Sequence, residues 1–191
     1  MQNKKVVIGV IAAVFAVAVV LGYLIGTRSG GVRSGDAPVY SNAAGTSPSV
    51  GVTNRSNIIE DLKAGIKSNP NDPDLLLRLA DAYFEQKQFA EAVNYYKKVI
   101  GIRPNDADVY TEIGLSLHYL GNSQEGLKYL DEGIKKNPYH QRIWLTKGFI
   151  LAGTGDIASA KKAWEKTKAI NSESPIGKAA SDYLGQIAVK K

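Results

Sequence analysis

The sequence predicts an all-α fold, a stack of helical hairpins carried behind an apolar N-terminal segment, and three observations lead there. Pro70, Pro104 and Pro138 recur at an interval of 34 residues. The text around them rhymes: Asn69-Pro70-Asn71-Asp72, Arg103-Pro104-Asn105-Asp106, Asn137-Pro138-Tyr139-His140. A period of that length, with apolar residues at i, i+3, i+4 and i+7 inside each unit, marks stacked supersecondary repeats. Finally, Val6–Gly26 is a run of 21 residues without a charge, rich in Val, Ile, Ala and Leu.

That run comes first along the chain. As a helix rising ~1.5 Å per residue it reaches ~31 Å, the thickness of a bilayer's hydrocarbon core. A cleaved signal peptide would need a small-x-small site directly after the apolar core, but Leu24-Ile25-Gly26-Thr27-Arg28 follows. Residues 1–26 are therefore expected to be an uncleaved transmembrane anchor, making the protein single-pass. Lys4 and Lys5 precede the span, and Arg28 and Arg33 follow it. A short basic leader stays in the cytoplasm by the positive-inside rule, which sends the rest to the periplasmic or other extracytoplasmic side; the near-balanced charges keep the cytoplasmic side as the alternative. Gly22-x-x-x-Gly26 matches a helix-pairing motif and so offers a route to a homo-oligomer. Residues 27–56 are rich in Gly, Ser, Ala, Thr and Asn, carry Pro38 and Pro48, and show no helical stripe, so they read as a flexible linker.

Residues 57–191 form the predicted repeat domain. Ile58, Ile59, Leu62 and Ile66 make a stripe for a capping helix over about 58–69, with Asn57 as its N-cap and Glu60 completing a capping box. The first full unit, about 73–106, holds two stripes: Leu76, Leu79, Ala80 and Tyr83, then Phe89, Ala92, Val93, Tyr96, Val99 and Ile100. Pro73 suits a first helical turn and Asp72 can cap it, whereas Pro104 ends the second helix by supplying no amide and disfavouring helix at Arg103. Units at about 107–140 and 141–174 repeat the plan, and Ile176, Ala179, Ala180, Tyr183, Leu184 and Ile187 mark a closing helix over about 175–188. Such caps are expected because a repeat array otherwise exposes apolar faces at both ends.

Within the units the order Leu76, Leu79-Ala80, Tyr83, Ala92, Tyr96, Pro104 resembles the tetratricopeptide repeat (TPR). The second unit reads Tyr110, Ile113-Gly114, Leu117, Gly126, Leu130, Pro138, and the third Trp144, Gly148, Leu151, Ala160, Trp164, then Ser172 in place of proline. Small residues at the paired positions let the helices of a hairpin approach closely, and Gly121 and Gly155 suit a left-handed joint. Three departures stand out: Lys87 at the joint glycine, Gly126 for alanine, and Lys147 where a large apolar residue is usual. The resemblance implies a TPR α-solenoid of three repeats with flanking capping helices.

The family's groove lies on the first helix of each pair, and by helical offset it maps onto Asp74, Leu77, Arg78, Asp81, Phe84 and Glu85. In the second repeat the positions are Asp108, Thr111, Glu112, Leu115, His118 and Tyr119; in the third, Arg142, Leu145, Thr146, Phe149 and Ala152. Leu77, Asp81, Phe84, Leu115, Tyr119, Leu145 and Phe149 are the candidate partner-binding residues, an apolar strip rimmed by charge that suits a helix or an extended peptide. Family members that grip a peptide's terminal carboxylate use a Lys/Asn/Arg clamp; Leu77, Asp81 and Thr111 stand in those places here, which argues against that mode. An anchor, a linker and a few TPRs together resemble the bacterial TPR components of c-type cytochrome maturation. The resemblance implies a membrane-anchored scaffold for protein or peptide partners, with a self-associating organiser of a membrane complex as the alternative.

Charge argues against nucleic acid as a partner. The formal net charge of +6 splits into +2 for the repeat domain, from 19 Lys+Arg and 17 Asp+Glu after residue 57, and +4 for the segment before it. Basic residues beside a span meet anionic headgroups. No catalytic constellation is found. The chain has no cysteine, no nucleotide-binding glycine motif and no G-x-S-x-G. His118 and His140 lack a ligand partner at helical spacing and read as polar surface residues. No cofactor, metal or enzymatic activity is expected.

Overall fold

The computed structural model describes residues 55–188, with side chains from Ile58 onward. The expected anchor over 1–26 and most of the expected linker over 27–56 lie outside these residues. Among the described residues, no helix is long and apolar enough to cross a membrane.

Eight helices follow one another with no strand among the described residues: α1 Arg55–Ser68, α2 Pro73–Glu85, α3 Phe89–Ile102, α4 Ala107–Tyr119, α5 Ser123–Lys136, α6 Gln141–Gly153, α7 Ile157–Ile170 and α8 Pro175–Ala188. Each helix packs on its successor, and α4, α6 and α8 also touch in turn, so the first helices of the hairpins line one side. One difference from the expected boundaries falls at α1. It begins at Arg55, so Asn57 lies inside the helix and cannot be its cap; nothing in Arg55-Ser56-Asn57 breaks a helix, and the turn extends upstream.

The caps follow from sequence chemistry. Pro73 is the first residue of α2, and the Asp72 carboxylate accepts from the amides of Asp74 (2.9 Å) and Leu75 (3.2 Å). Asp106 caps α4 through Val109 N, and Asp156 caps α7 through Ser159 N. Gly121 and Gly155 occupy the joints with φ of 84° and 91°. Lys87 holds the same kind of joint at φ 60°, so a side chain here tolerates a conformation that ordinarily costs about 1–2 kcal/mol.

Close approach within each hairpin rests on the small residues. Ala80 and Ala92 are fully buried. A Cβ added to Gly126 would lie 2.5 Å from the carbonyl oxygen of Gly114, and one added to Gly148 would lie 2.3 Å from Nε1 of Trp164. Glycine in place of alanine at 126 is thus what lets α5 sit against α4. A further small position, Gly133, faces Ile143 and Tyr110, where the second repeat meets the third. The departure at 147 has a partner of its own. Lys147 leaves the core and pairs with Asp131 on α5 at 2.5 Å, its ammonium 5.6 Å from the Trp144 ring.

Where proline is missing after α7, side chains do its work. The Gln141 amide nitrogen donates to the carbonyls of Thr167 (2.9 Å) and Asn171 (2.6 Å), and Ser174 Oγ donates to Gln141 Oε1 (2.7 Å). Asn171 Oδ1 accepts from the amides of Glu173 and Ser174. Successive repeats are also tied at the prolines: Tyr110 OH donates to the Pro104 carbonyl and Trp144 Nε1 to that of Pro138.

Candidate functional site

The first-helix layer is the candidate site, and its two ends differ in chemistry. Toward the C-terminal ends of α2, α4 and α6 the side chains are aromatic. Phe84 meets Tyr119 at 6.1 Å between ring centroids and Phe89 edge-on at 5.4 Å, while Phe89 stacks on Tyr119 at 4.8 Å. His118 continues the row, 5.8 Å from Tyr119 and 5.5 Å from Phe149. The row therefore crosses all three hairpins. Helical geometry explains it: Phe84 and His118 recur after one 34-residue period, and Phe89 opens α3 just past the joint.

Toward the N-terminal ends the side chains are charged. Arg142, first turn of α6, reaches back to α4, where Nη1 lies 3.4 Å from Asp108 Oδ1 and Nη2 pairs with Glu112 Oε1. His140 Nε2 contacts the same Asp108 oxygen at 3.2 Å. Arg142 and Glu112 keep only 11% and 7% of their side-chain surface exposed. Burial opposes the charge of Arg142, but Glu112 and then Asp108 outweigh it, so the guanidinium's pKa is raised. Glu112 Oε2, Arg142 Nε, Ser116 Oγ and Thr146 Oγ1 are buried without a hydrogen-bond partner. Between the two ends, Asp81 on α2 accepts from the buried Tyr96 hydroxyl at 2.7 Å. Burial first, then the Glu112 and Asp81 charges, push the Tyr96 phenol well above its usual range.

The residues singled out from sequence divide into two groups. Phe84 and Tyr119 are half-buried and in direct ring contact, and His118 joins them to Phe149. Leu115 (2% exposed), Leu145 (2%) and Phe149 (5%) are buried; Leu145 lies in an apolar cluster with Ala160, Trp164 and Ala180. Leu77 packs half-buried against the N-terminal core, and Asp81 is half-buried. His118 is more than the polar surface residue its sequence context suggested. Its Nδ1 lies 2.8 Å from Ser123 Oγ, and burial lowers its pKa. Phe89 was not among the candidates, because its place in the α3 stripe reads as core; only the three-dimensional joint brings it beside Tyr119. Among the described residues, no group of three or more His, Asp or Glu could hold a metal ion.

Comparison with known proteins agrees with this architecture. The family model described as TPR repeat matches residues 80–121, from the middle of α2 to the joint after α4. The mouse (Mus musculus) protein DnaJ homolog subfamily C member 7 is 28% identical over 86 residues, covering 45% of this chain and 17% of its own length. Across four such curated relatives the chain spans only 7–17% of their length. A crystal structure of MamA superposes with a TM-score of 0.57 at 20% identity, over 76% of this chain and 96% of that one. The first TPR of Spaghetti (RPAP3), solved bound to the HSP90 peptide SRMEEVD, gives 0.55 at 17% identity over 61% and 90%. These likenesses show the fold. The chain is an all-α solenoid in which residues 80–121 match the TPR repeat model.

Proposed function

We propose that this chain is a non-catalytic, membrane-anchored TPR scaffold that holds a protein or peptide partner against the layer formed by α2, α4 and α6. The observation that carries the reading is the aromatic row Phe84–Phe89–Tyr119–His118–Phe149, which runs across three hairpins with most of its rings half-exposed. A contiguous apolar row on an otherwise polar surface is where polypeptide partners dock, and aromatic rings dominate such contacts. A structural neighbour of the same fold is described as bound to a peptide, which supports this use of the architecture. The anchor is the uncharged run Val6–Gly26, and a periplasmic or other extracytoplasmic placement follows from the charges flanking it. Assembly of an envelope complex, of which c-type cytochrome maturation is one case, suits a tethered partner-holding module.

The test has two arms. Phe84→Ala combined with Tyr119→Ala should remove partner capture while leaving the helical circular-dichroism signal in place. Deleting residues 6–26 should release the protein from membranes resistant to alkaline extraction. Capture that survives the double variant refutes the site, and membrane retention without residues 6–26 refutes the anchor. The alternative of a self-associating organiser would show as a mass that rises with concentration in detergent.

A further inference from the structure

We infer that the partner segment held by this face is cationic: an extended peptide that places lysine or arginine side chains over the aromatic row. This rests on the groove reading above. The helices that open the face, α2 and α4, carry Asp74, Asp81, Glu85, Asp108 and Glu112 against Arg78 alone. Counting Arg103, paired with Asp74, and Arg142, paired with Asp108 and Glu112, the carboxylates still outnumber the guanidiniums. The surplus is local, because the repeat domain as a whole is slightly basic.

A second observation adds to the negative potential of the face. Glu112 is nine-tenths buried; its Oε1 is taken by Arg142, but Oε2 has no hydrogen-bond partner. A carboxylate only partly neutralised by its own partner keeps a negative potential around it, which favours a positive side chain on the face above. On α2, Asp81 and Glu85 stand within one turn of Phe84, so carboxylates border the ring row. Aromatic faces attract cations, and a ring row backed by carboxylates is suited to a positive side chain. Lysine and arginine alone carry a positive charge on a stem long and apolar enough to pass over the rings and reach the bordering carboxylates. This is also the reverse of the carboxylate-gripping mode, whose basic positions are here Leu77, Asp81 and Thr111.

Three fluorescent peptides of one length, with the same alternating Leu and Tyr anchors, test it against the full chain in detergent. One has arginine at the intervening positions, one citrulline, which keeps the shape without the charge, and one glutamate. Fluorescence anisotropy should rank arginine about tenfold or more above citrulline, with glutamate weakest and the arginine advantage shrinking as salt is raised. Glu85→Gln, at an exposed carboxylate, should bring arginine binding part of the way down toward the citrulline level. If citrulline equals arginine, or glutamate binds best, the cationic assignment falls and the groove stands. If no peptide binds and the arginine series is silent throughout, both fall together.

Discussion

Replacing Gly126 by alanine restores the residue usual at that repeat position, yet the structure requires it to destabilise this protein. The new Cβ would lie 2.5 Å from the Gly114 carbonyl oxygen and 3.5 Å from the Leu117 Cβ. The close atom is backbone inside α4, so neither a rotamer change nor a small slide of one side chain relieves it. Alanine in a helix interior gains about 1 kcal/mol over glycine. Overpacking a tight contact costs about 1–3 kcal/mol, and a rigid backbone neighbour places this case at the upper end. The net expectation is a loss of about 1–2 kcal/mol, or about 4 °C in Tm per kcal/mol for a domain of this size. Gly101→Ala is the matched control, because nothing lies within 4 Å of its added Cβ. It should gain about 1 kcal/mol from propensity alone. Thermal and urea melts followed by circular dichroism read both. Equal stabilisation by the two substitutions would refute the argument that Gly126 sets the spacing of α4 and α5.

Three further outcomes follow. Lys87→Gly relieves the left-handed joint between α2 and α3 and should raise stability by about 1 kcal/mol, read in the same melts. Arg142→Ala leaves Glu112 and Asp108 facing each other without their shared partner, so it should cost about 3–5 kcal/mol, whereas Arg142→Lys should recover part of that loss. For His118, burial lowers the folded-state pKa, so the unfolded chain binds the proton more readily. Its contribution is complete above the ordinary imidazole range and declines as pH falls from about 6.5 toward the lowered folded value. His118→Gln should flatten that part of the pH–stability curve, and an NMR titration should place the His118 midpoint below that of an unfolded peptide.

Much of the fold was legible because each repeat states its own boundaries. Pro73 and Asp72 fix the start of α2, and the dominant stripes Leu76–Tyr83 and Ala92–Val99 bury as the 3.6-residue period requires. What one dimension could not carry is the contact between repeats. Gln141 and Ser174 replace the proline missing after the third repeat by hydrogen bonds across 33 residues, and polar residues in loops carry no sequence signal for such a partner. The site was legible in part for the same reason. Helical offset put Phe84 and Tyr119 on the first-helix layer, where their rings meet. It could not distinguish a groove position from one between hairpins, so Leu145 lies in the cluster around Trp164. Phe89, on a second helix, enters the row only through the geometry of the Lys87 joint.

The central claim is that the α2–α4–α6 layer, and not the lysine-rich outer side of α7, holds a partner polypeptide. A photoreactive phenylalanine placed in turn at Phe84, Tyr119 and Lys162, in the tethered protein within its native membrane, tests this most directly. One discrete adduct, of the same partner and suppressed by an added competing peptide, is expected from the first two positions and none from the exposed Lys162. An adduct of that partner from Lys162 with silence at Phe84 and Tyr119 would contradict it.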